Sequence, residues 1–298
     1  MTDQTSDGLF TFSQKANYWN ELYSHPATLF EHHMCLRRDH AATYIQSHFD
    51  PGVALLDLGC GAGVLSEKLL EMGYRVTAAD ASPDMVALSR ERLKRFPEAL
   101  RRHCQANCLD LPFADGEFDL VVCLGMFGYF DEVTRALREI ERVLKPGGTL
   151  IISVRNRNTH RVFDLLQLAK HPFRPLRAAA QRIAQAFRPP LPASEYPAGD
   201  DGFRIEIYDS PARLIKGVSQ RGYTLVDFDG LGYGPLAIAG HKLFSEGFSI
   251  RLSDALHRCF KALGLRHFSR WFADVSFYVF TRSQRAATEA TGGPRPLS

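Results

Sequence analysis

The feature that most constrains the fold is a regular alternation of short apolar runs and helical segments that begins at Val53. The apolar runs predict buried strands at 53–58, 74–79, 103–107, 118–124 and 149–154. Strands that alternate with helices predict βαβ units with right-handed crossovers and therefore a parallel sheet. The chain is expected to fold as an α/β protein with a doubly wound, mostly parallel sheet.

The segments on either side of this alternation have a different pattern. Residues 13–47 are helical in pattern and rich in aromatics and histidine, and Pro26 divides them into two predicted helices. Two late strands near 223–228 and 275–281 are expected to run antiparallel to each other at one edge of the sheet, the second with the alternation of an edge strand. The sequence therefore predicts four parts. These are an N-terminal helical lid (1–50), a core (51–154), inserts and final strands of the same domain that are expected to bind a second ligand (155–283), and a disordered tail (284–298).

Composition excludes several classes of protein. The 298 residues are 45% hydrophobic and 23% charged, as in soluble globular proteins, and no apolar run approaches about 18 residues. The N-terminus lacks the basic and apolar regions of a secretory signal. The six cysteines form no CxxC pair, and Cys104 and Cys108 beside His103 lack a second ligand cluster, so no metal site is expected. Reduced thiols fit a cytoplasmic location.

A glycine-rich turn and an acidic residue mark the expected ligand site. Gly59, Gly61 and Gly63 follow the first strand, where glycine permits positive φ and close approach of a ligand to the backbone. Asp80 ends the second strand and can accept hydrogen bonds from both hydroxyls of a ribose. A dinucleotide site favours G-x-G-x-x-G, whereas Val64 stands here in place of the third glycine. An NAD(P)-dependent oxidoreductase or epimerase is the alternative that this turn leaves open.

The ordered combination of motifs is more specific than any one of them. LLDLGCGAG, Asp80, NCLDLPF, FDLVVCLGMF and VLKPGGTLIISV together resemble a class I S-adenosylmethionine-dependent methyltransferase, of the small-molecule type similar to ubiquinone/menaquinone-biosynthesis methyltransferases. The resemblance covers Leu55–Val154, about a third of the chain. It implies a Rossmann-like core, S-adenosylmethionine as cofactor and methyl transfer as the reaction.

The resemblance also implies a set of cofactor contacts. The three glycines would lie beside the methionine part of the cofactor and Asp80 would bind its ribose. Further implied contacts are Ala81 and Met85 beside the adenine, Asn107 and Cys108 near its amino group, Leu124 through its carbonyl, Tyr18 or Tyr23 over the cofactor, and Arg37 toward its carboxylate. Asn107 stands where the family often has an acid, so it would accept that hydrogen bond without a charge. Asp57 is expected to fix the turn.

Catalysis of this reaction depends mainly on positioning, because a sulfonium methyl group is already activated. A base is needed only when the acceptor must lose a proton. His32 and His33 are the candidates if the N-terminal helices cover the site, and Glu206 and Tyr208 form a second pair. Oxygen is the favoured acceptor atom, carbon and nitrogen stay open, and a non-catalytic S-adenosylmethionine-binding protein is a further alternative.

Two basic amphipathic inserts carry the information about the acceptor. Residues 155–188 contain eight Lys/Arg and one acid, residues 237–271 contain six and two, and the whole chain carries only +3. This asymmetry predicts an anionic partner or peripheral contact with a membrane surface, against the alternative that the helices only cover the sheet. The apolar side chains among them predict a small hydrophobic or amphiphilic acceptor: Phe163, Leu165, Leu166, Leu168, Phe173, Phe187, Phe244, Phe248, Leu252, Leu256 and Phe260. Nucleic acid is not an expected partner, because the cations are interleaved with apolar residues.

Overall fold

The structure is a computed structural model and describes residues 16–128, 133–156, 211–235, 237–238, 241–265, 269 and 272–284. The strands in this part are β1 (Ala54–Leu58), β2 (Arg75–Asp80), β3 (His103–Gln105), β4 (Phe118–Leu124), β5 (Leu144–Arg155), β6 (Tyr223–Tyr233), β7 (Ala237–Ile238), β8 (His241–Lys242) and β9 (Ala273–Arg282). The helices are α1 (Ala16–Leu22), α2 (Leu29–His48), α3 (Val64–Glu71), α4 (Pro83–Leu93), α5 (Pro97–Leu100), α6 (Val133–Val143), α7 (Pro211–Ser219) and α8 (Glu246–Ala262). A short 3-10 turn covers Met126–Gly128.

Seven strands form one sheet in the order β3-β2-β1-β4-β5-β9-β6, and β7 and β8 form a separate pair. The pairs from β3 to β5 are parallel, whereas β9 is antiparallel to both β5 and β6. The predicted α/β fold, with a mostly parallel sheet and antiparallel strands toward one edge, is confirmed. The placement of 275–281 at the edge itself is wrong. β9 lies one strand inside, because it pairs on both sides and its residues 273–280 are all buried, and β6 forms the edge.

Helices cover both faces of the sheet. On one face α2 and α3 pack Met34, Ile45 and Leu69 against the strands. On the other face α6 and α7 contribute Ile140 and Leu214 to a second apolar cluster. Each fully buried aliphatic side chain stabilises the fold by about 1.5–3 kcal/mol. The near-continuous apolar sequence of the central strands follows from this burial on both faces.

Local signals in the sequence set the helix boundaries around the site. Helix α1 ends at Leu22 and α2 begins at Leu29, so the predicted division at Pro26 is confirmed. Thr28 caps α2: its side chain accepts from the Glu31 N–H, and the Glu31 carboxylate accepts from the Thr28 N–H. The Ser82 hydroxyl caps α4 by accepting from the Met85 N–H, with Pro83 at the first helical position.

Several predictions fall outside the described residues. These are most of the first insert from 157 onward, the apolar residues within it, Glu206 and Tyr208, and the tail beyond 284. The four-part division of the chain stays a prediction. In the part of the chain that is described, no helix combines the length and apolar character needed to cross a membrane.

Candidate functional site

The glycine-rich turn lies at the carboxyl end of β1, between Leu58 and Val64. The N–H groups of Gly59 and Cys60 both donate to the carbonyl oxygen of Ala79 on β2, at 2.8 and 3.0 Å. Gly61 has φ +54°, and a Cβ built there would meet nothing within 4 Å, so this residue faces open space. At Gly63, with φ +77°, a Cβ would lie 2.8 Å from the Ser89 Cβ. Glycine at 63 therefore allows α3 and α4 to approach, whereas glycine at 61 opens the backbone to a ligand.

Asp80 connects β2 to this turn. Its Oδ2 accepts from the Gly61 N–H at 2.8 Å, and its Oδ1 accepts from the Ser82 N–H at 2.9 Å. Burial raises the pKa of Asp80, although both N–H groups act in the opposite direction. A carboxylate has about four lone-pair sites, so two further donors can bind here. Ala81 follows directly, and its carbonyl oxygen accepts from the Gln105 side chain on β3 at 3.0 Å.

Asp57 lies beneath the turn. It is buried, and Oδ2 accepts from the Ser66 hydroxyl on α3 at 2.6 Å. Burial raises the pKa of Asp57 to about 6, and the negative charge of Asp80 adds to the rise. These contacts agree with the expected role of fixing the turn, since they join the end of β1 to the helix after it.

The residues predicted to contact the adenine lie near Asp80 in the chain or in the fold, and they differ in solvent exposure. The Ala106 N–H donates to the Asp80 carbonyl oxygen at 2.9 Å, which brings the segment after β3 beside β2. Asn107 is exposed, and its Oδ1 accepts from the Leu109 N–H within its own loop at 3.0 Å. Cys108 is buried in an apolar cluster, and Met85 is buried in the first turn of α4.

The N-terminal helices are held beside the glycine-rich turn. Arg92 of α4 donates through Nε to the Ala62 carbonyl oxygen at 2.8 Å and through Nη2 to Asn20 Oδ1 of α1. Tyr18 on the same helix is partly exposed and meets the Trp19 ring edge-on at 5.7 Å. The structure therefore brings α1, which was predicted to be part of a lid, to the turn.

Arg37 and Tyr23 meet at the carboxyl end of β4. Arg37 is 8% exposed, and its Nη2 donates to Tyr23 Oη at 3.0 Å. A Cβ at Gly125, which has φ +78°, would lie 2.3 Å from Arg37 Nη1, so glycine is required for the guanidinium to pack there. Leu124 is the residue before. Arg37 Nε is buried and has no hydrogen-bond partner among the described residues, so a buried cation at the strand ends keeps a donor for an anionic group.

The two predicted catalytic histidines of α2 contact later parts of the chain. His32 Nε2 lies 2.8 Å from Asp254 Oδ1 on α8. His33 Nδ1 lies 3.1 Å from Asp274 Oδ2 on β9, and its Nε2 lies 3.1 Å from Ser253 Oγ on α8. The structure thus brings both histidines to the α8 and β9 side of α2, and His33 has partners on both ring nitrogens.

The sequence analysis missed residues that hold this region together. Gly125 supports Arg37, and Asp274 accepts from both His33 and Arg155. Gly125 directly follows β4 and Asp274 lies at the start of β9, so a glycine or a charged residue at one end of a buried strand is the signal that these positions share. Among the described residues, no group of three His, Cys, Asp or Glu could hold a metal ion.

Comparisons with known proteins agree with this geometry. A family described as "Methyltransferase domain" matches residues 56–152. A ubiquinone biosynthesis O-methyltransferase of Xanthomonas axonopodis pv. citri is 29% identical over 195 residues, which is 64% of this chain and 72% of that protein. The protein of the same name from Xanthomonas euvesicatoria pv. vesicatoria is 30% identical over 186 residues, 62% of this chain and 68% of the relative.

A solved structure shares the fold over nearly the whole chain. Magnesium protoporphyrin IX methyltransferase from Synechocystis PCC 6803, solved with bound SAH, is 15% identical to this chain and has a TM-score of 0.57. The superposition covers 94% of this chain and 100% of that chain. This likeness concerns the fold.

Proposed function

Because this chain belongs to the class I S-adenosylmethionine-dependent methyltransferases, we propose that it methylates an oxygen atom of a small hydrophobic or amphiphilic acceptor. S-adenosylmethionine is the methyl donor. The observation that carries the use of this cofactor is the turn at Gly61, where the backbone faces open space and the Gly61 N–H donates to Asp80. The naming of the Xanthomonas relatives as O-methyltransferases supports oxygen as the acceptor atom.

The residues at the strand ends fit the cofactor. Asp80 offers lone pairs to a ribose diol, and the open face of Gly61 leaves room beside the backbone. Arg37 is buried with an unsatisfied Nε and fits the carboxylate of the methionine part, with Tyr23 holding the other side of the guanidinium. Met85, Ala81 and the 106–108 segment border the side where the adenine would lie.

The chain contributes mainly by binding, orienting and excluding water. The bound sulfonium supplies an activated methyl group, so the transfer itself needs no covalent help from the protein. Helix α1 is tied to Ala62 through Arg92 and so lies beside the turn, and we propose that it keeps water from the bound cofactor. A hydroxyl acceptor must lose its proton, and we propose His32, oriented by Asp254, or the pair Glu206 and Tyr208 as the acceptor of that proton.

Calorimetric titration with S-adenosylmethionine, its demethylated product and NAD tests the cofactor. We expect saturable binding of the first two and none of NAD. Asp80→Ala should raise the Kd by about tenfold or more, because a charge-assisted pair of hydrogen bonds is lost. The exposed Asp50→Ala is the matched control and should leave the Kd unchanged. Binding of NAD instead would contradict the proposed function.

The acceptor is tested with pairs of phenols that differ only in an apolar tail. We expect faster methylation of the tailed compound in each pair and the product methyl group on oxygen. A methyl group found on carbon or nitrogen would contradict the preferred atom, and equal rates for both members of a pair would contradict an apolar acceptor site.

We also propose that the protein makes peripheral contact with anionic membranes through the outward face of α8 and the residues before it. Phe244 and Phe248 are 40% and 42% exposed, and Arg251 and Arg258 lie exposed on the same helix. The helix carboxylates are turned inward: Asp254 contacts His32, and Glu246 contacts Lys242 and the Leu29 N–H. An apolar face flanked by cations fits the surface of an anionic bilayer.

Flotation with vesicles tests this contact. We expect binding to phosphatidylglycerol vesicles, weaker binding at high salt, and little binding to phosphatidylcholine vesicles. Phe248→Ser should reduce binding severalfold. Val226→Ser, at an exposed apolar residue on β6, is the control and should leave binding unchanged. Absence of binding to both kinds of vesicle rejects the proposal.

A further inference from the structure

A buried chain of hydrogen bonds joins α2 to three later elements of the fold. Ser253 and Asp274 lie on either side of the His33 ring, which is 1% exposed. The Tyr233 N–H of β6 donates to Ser253 Oγ at 2.9 Å. His33 therefore links α2 to β6, α8 and β9 through one set of hydrogen bonds.

The direction of these bonds follows from the donors. Since Ser253 Oγ accepts from the Tyr233 N–H, its own proton is available to His33 Nε2. The imidazole then carries its proton on Nδ1 and donates it to Asp274 Oδ2. Every polar atom of the ring has a partner in this arrangement, which is the condition for burying it at low cost.

This Ser–His–Asp chain does not have the surroundings of a catalytic triad. Ser253 is fully buried, one lone pair of its hydroxyl is used by a backbone N–H, and its proton is directed to His33. A nucleophile must be exposed to its substrate. Neither ring nitrogen of His33 is left for an acceptor molecule, so a structural coupling explains the chain better than proton transfer does.

Two glycines leave the space that two side chains of α2 occupy, one for His33 and one for Arg37. At Gly232 on β6, with φ +70°, a Cβ would lie 2.4 Å from the His33 ring. At Gly125 after β4, a Cβ would lie 2.3 Å from Arg37 Nη1. His33 and Arg37 are four residues apart and share one face of α2. Each side chain thus lies in a place that a glycine leaves open, one helical turn apart.

We propose that His33 is a positioning residue, which sets the rotation and depth of α2 so that Arg37 stays at Gly125 in the geometry that binds the cofactor carboxylate. The inference rests on the proposed function, since it assigns Arg37 to the cofactor. It replaces the role of base for His33.

Charged groups from each neighbouring element surround this contact. Asp274 also accepts from Arg155 of β5 at 3.2 Å, and the Arg155 guanidinium lies 5.1 Å from the Phe30 ring centroid on α2. Glu246 of α8 accepts from the Leu29 N–H at the start of α2. Because these contacts hold the first turns of α2 by other means, loss of His33 should displace Arg37 without unfolding the helix.

The test compares His33→Ala, His33→Asn and the exposed His25→Ala in steady-state kinetics and in calorimetric binding of the demethylated cofactor. We expect His33→Ala to raise the KM for S-adenosylmethionine and the Kd of the product by about tenfold, with kcat changed by less than about threefold. His33→Asn should recover most of the affinity, because its amide N–H can donate to Asp274. His25→Ala should match the wild type.

A double-mutant cycle with Arg37→Ala identifies the route of the effect. If His33 acts through Arg37, His33→Ala adds nothing to the loss caused by Arg37→Ala. Fully additive losses, or an unchanged KM in His33→Ala, overturn the inference. A fall in kcat alone with a changed pH profile also overturns it, in favour of His33 as base.

Folding and the proposed function are controlled separately. If His33→Ala fails to fold, Asp274→Ala, which removes the acceptor of His33 Nδ1, takes its place in the cycle with the same expected pattern. If the wild-type protein binds no S-adenosylmethionine, the proposed function fails. If the wild type binds and the variants bind equally well, only the positioning role fails.

Discussion

Two carboxylates lie at the glycine-rich turn, the buried Asp57 and the partly buried Asp80, and the charge of Asp80 adds to the rise in the pKa of Asp57. Burial raises the pKa of both, and the pKa of Asp57 rises from 3.8 to about 6. Between these two values the folded protein holds a proton on Asp57 that the unfolded chain has released. The contribution of this residue to the free energy of unfolding is therefore present below about pH 4 and is lost as the pH rises through 6.

Asp57→Asn should remove this dependence. An amide does not titrate, and its oxygen can still accept from the Ser66 hydroxyl. The free energy of unfolding of the variant minus that of the wild type should rise by about 3 kcal/mol between pH 4 and pH 7, as an upper estimate from the pKa difference. Urea denaturation over this pH range measures it, with the exposed Asp50→Asn as control. A difference that stays constant with pH would contradict the assignment.

At the same scale, the sequence predicted the turn better than the lid. Gly61 and Asp80 have their positions dictated by one strand–turn–helix unit, so local pattern is enough to find them. The roles of His33 and Arg37 depend on Ser253, Asp274 and Gly125, which are distant in sequence. Only the folded chain brings these groups together, so no periodicity could have indicated them.

Among the elements, α2 is the one on whose placement our proposals depend most, because it carries His33 and Arg37. Its start is defined by the capping box of Thr28 and Glu31 and by the Glu246 carboxylate at the Leu29 N–H. The Thr28 cap and the Glu246 contact thus hold the start of α2, while we propose that the buried contacts of His33 set its rotation.

Thr28→Ala should reduce the free energy of unfolding by about 1 kcal/mol, since an N-cap hydrogen bond is lost. Thr28→Ser keeps the hydroxyl and should stay within a few tenths of a kcal/mol of the wild type. Urea denaturation monitored by circular dichroism distinguishes the two. Equal stability of all three proteins would show that the Glu31 and Glu246 carboxylates hold the helix start without the Thr28 hydroxyl.

The element boundaries show where sequence patterns are informative. The buried strands β1, β4 and β5 and the start of α4 follow from apolar runs and from Ser82 and Pro83. The inside position of β9 does not, because alternation in 275–281 is compatible with any antiparallel strand. Burial on both faces and pairing on both sides are properties of the assembled sheet.

On the scale of the whole molecule, the residues that match the methyltransferase family are separate in sequence from the residues that do not match it. The family match spans residues 56–152, whereas the parts that we propose to cover the site and to bind the acceptor lie before this range and after β5. The two inserts carry a net charge of +7 and +4 against +3 overall, which leaves the rest of the chain at −8. The two basic inserts are therefore where we expect the choice of partner to be determined.

The inside position of β9 has a consequence for how the protein is made. β5 and β6 leave the ribosome before β9, so during the seconds in which the intervening segment is synthesised both strands have an open pairing edge. The glycine-rich turn and Asp80 can assemble early with β1, β2 and β4, but Asp274 reaches His33 only when β9 is inserted. We therefore expect the nascent chain to pass through a stage in which the cofactor turn is formed and α2 lacks its contact with Asp274. The addition of β9 then completes both the seven-stranded sheet and this contact.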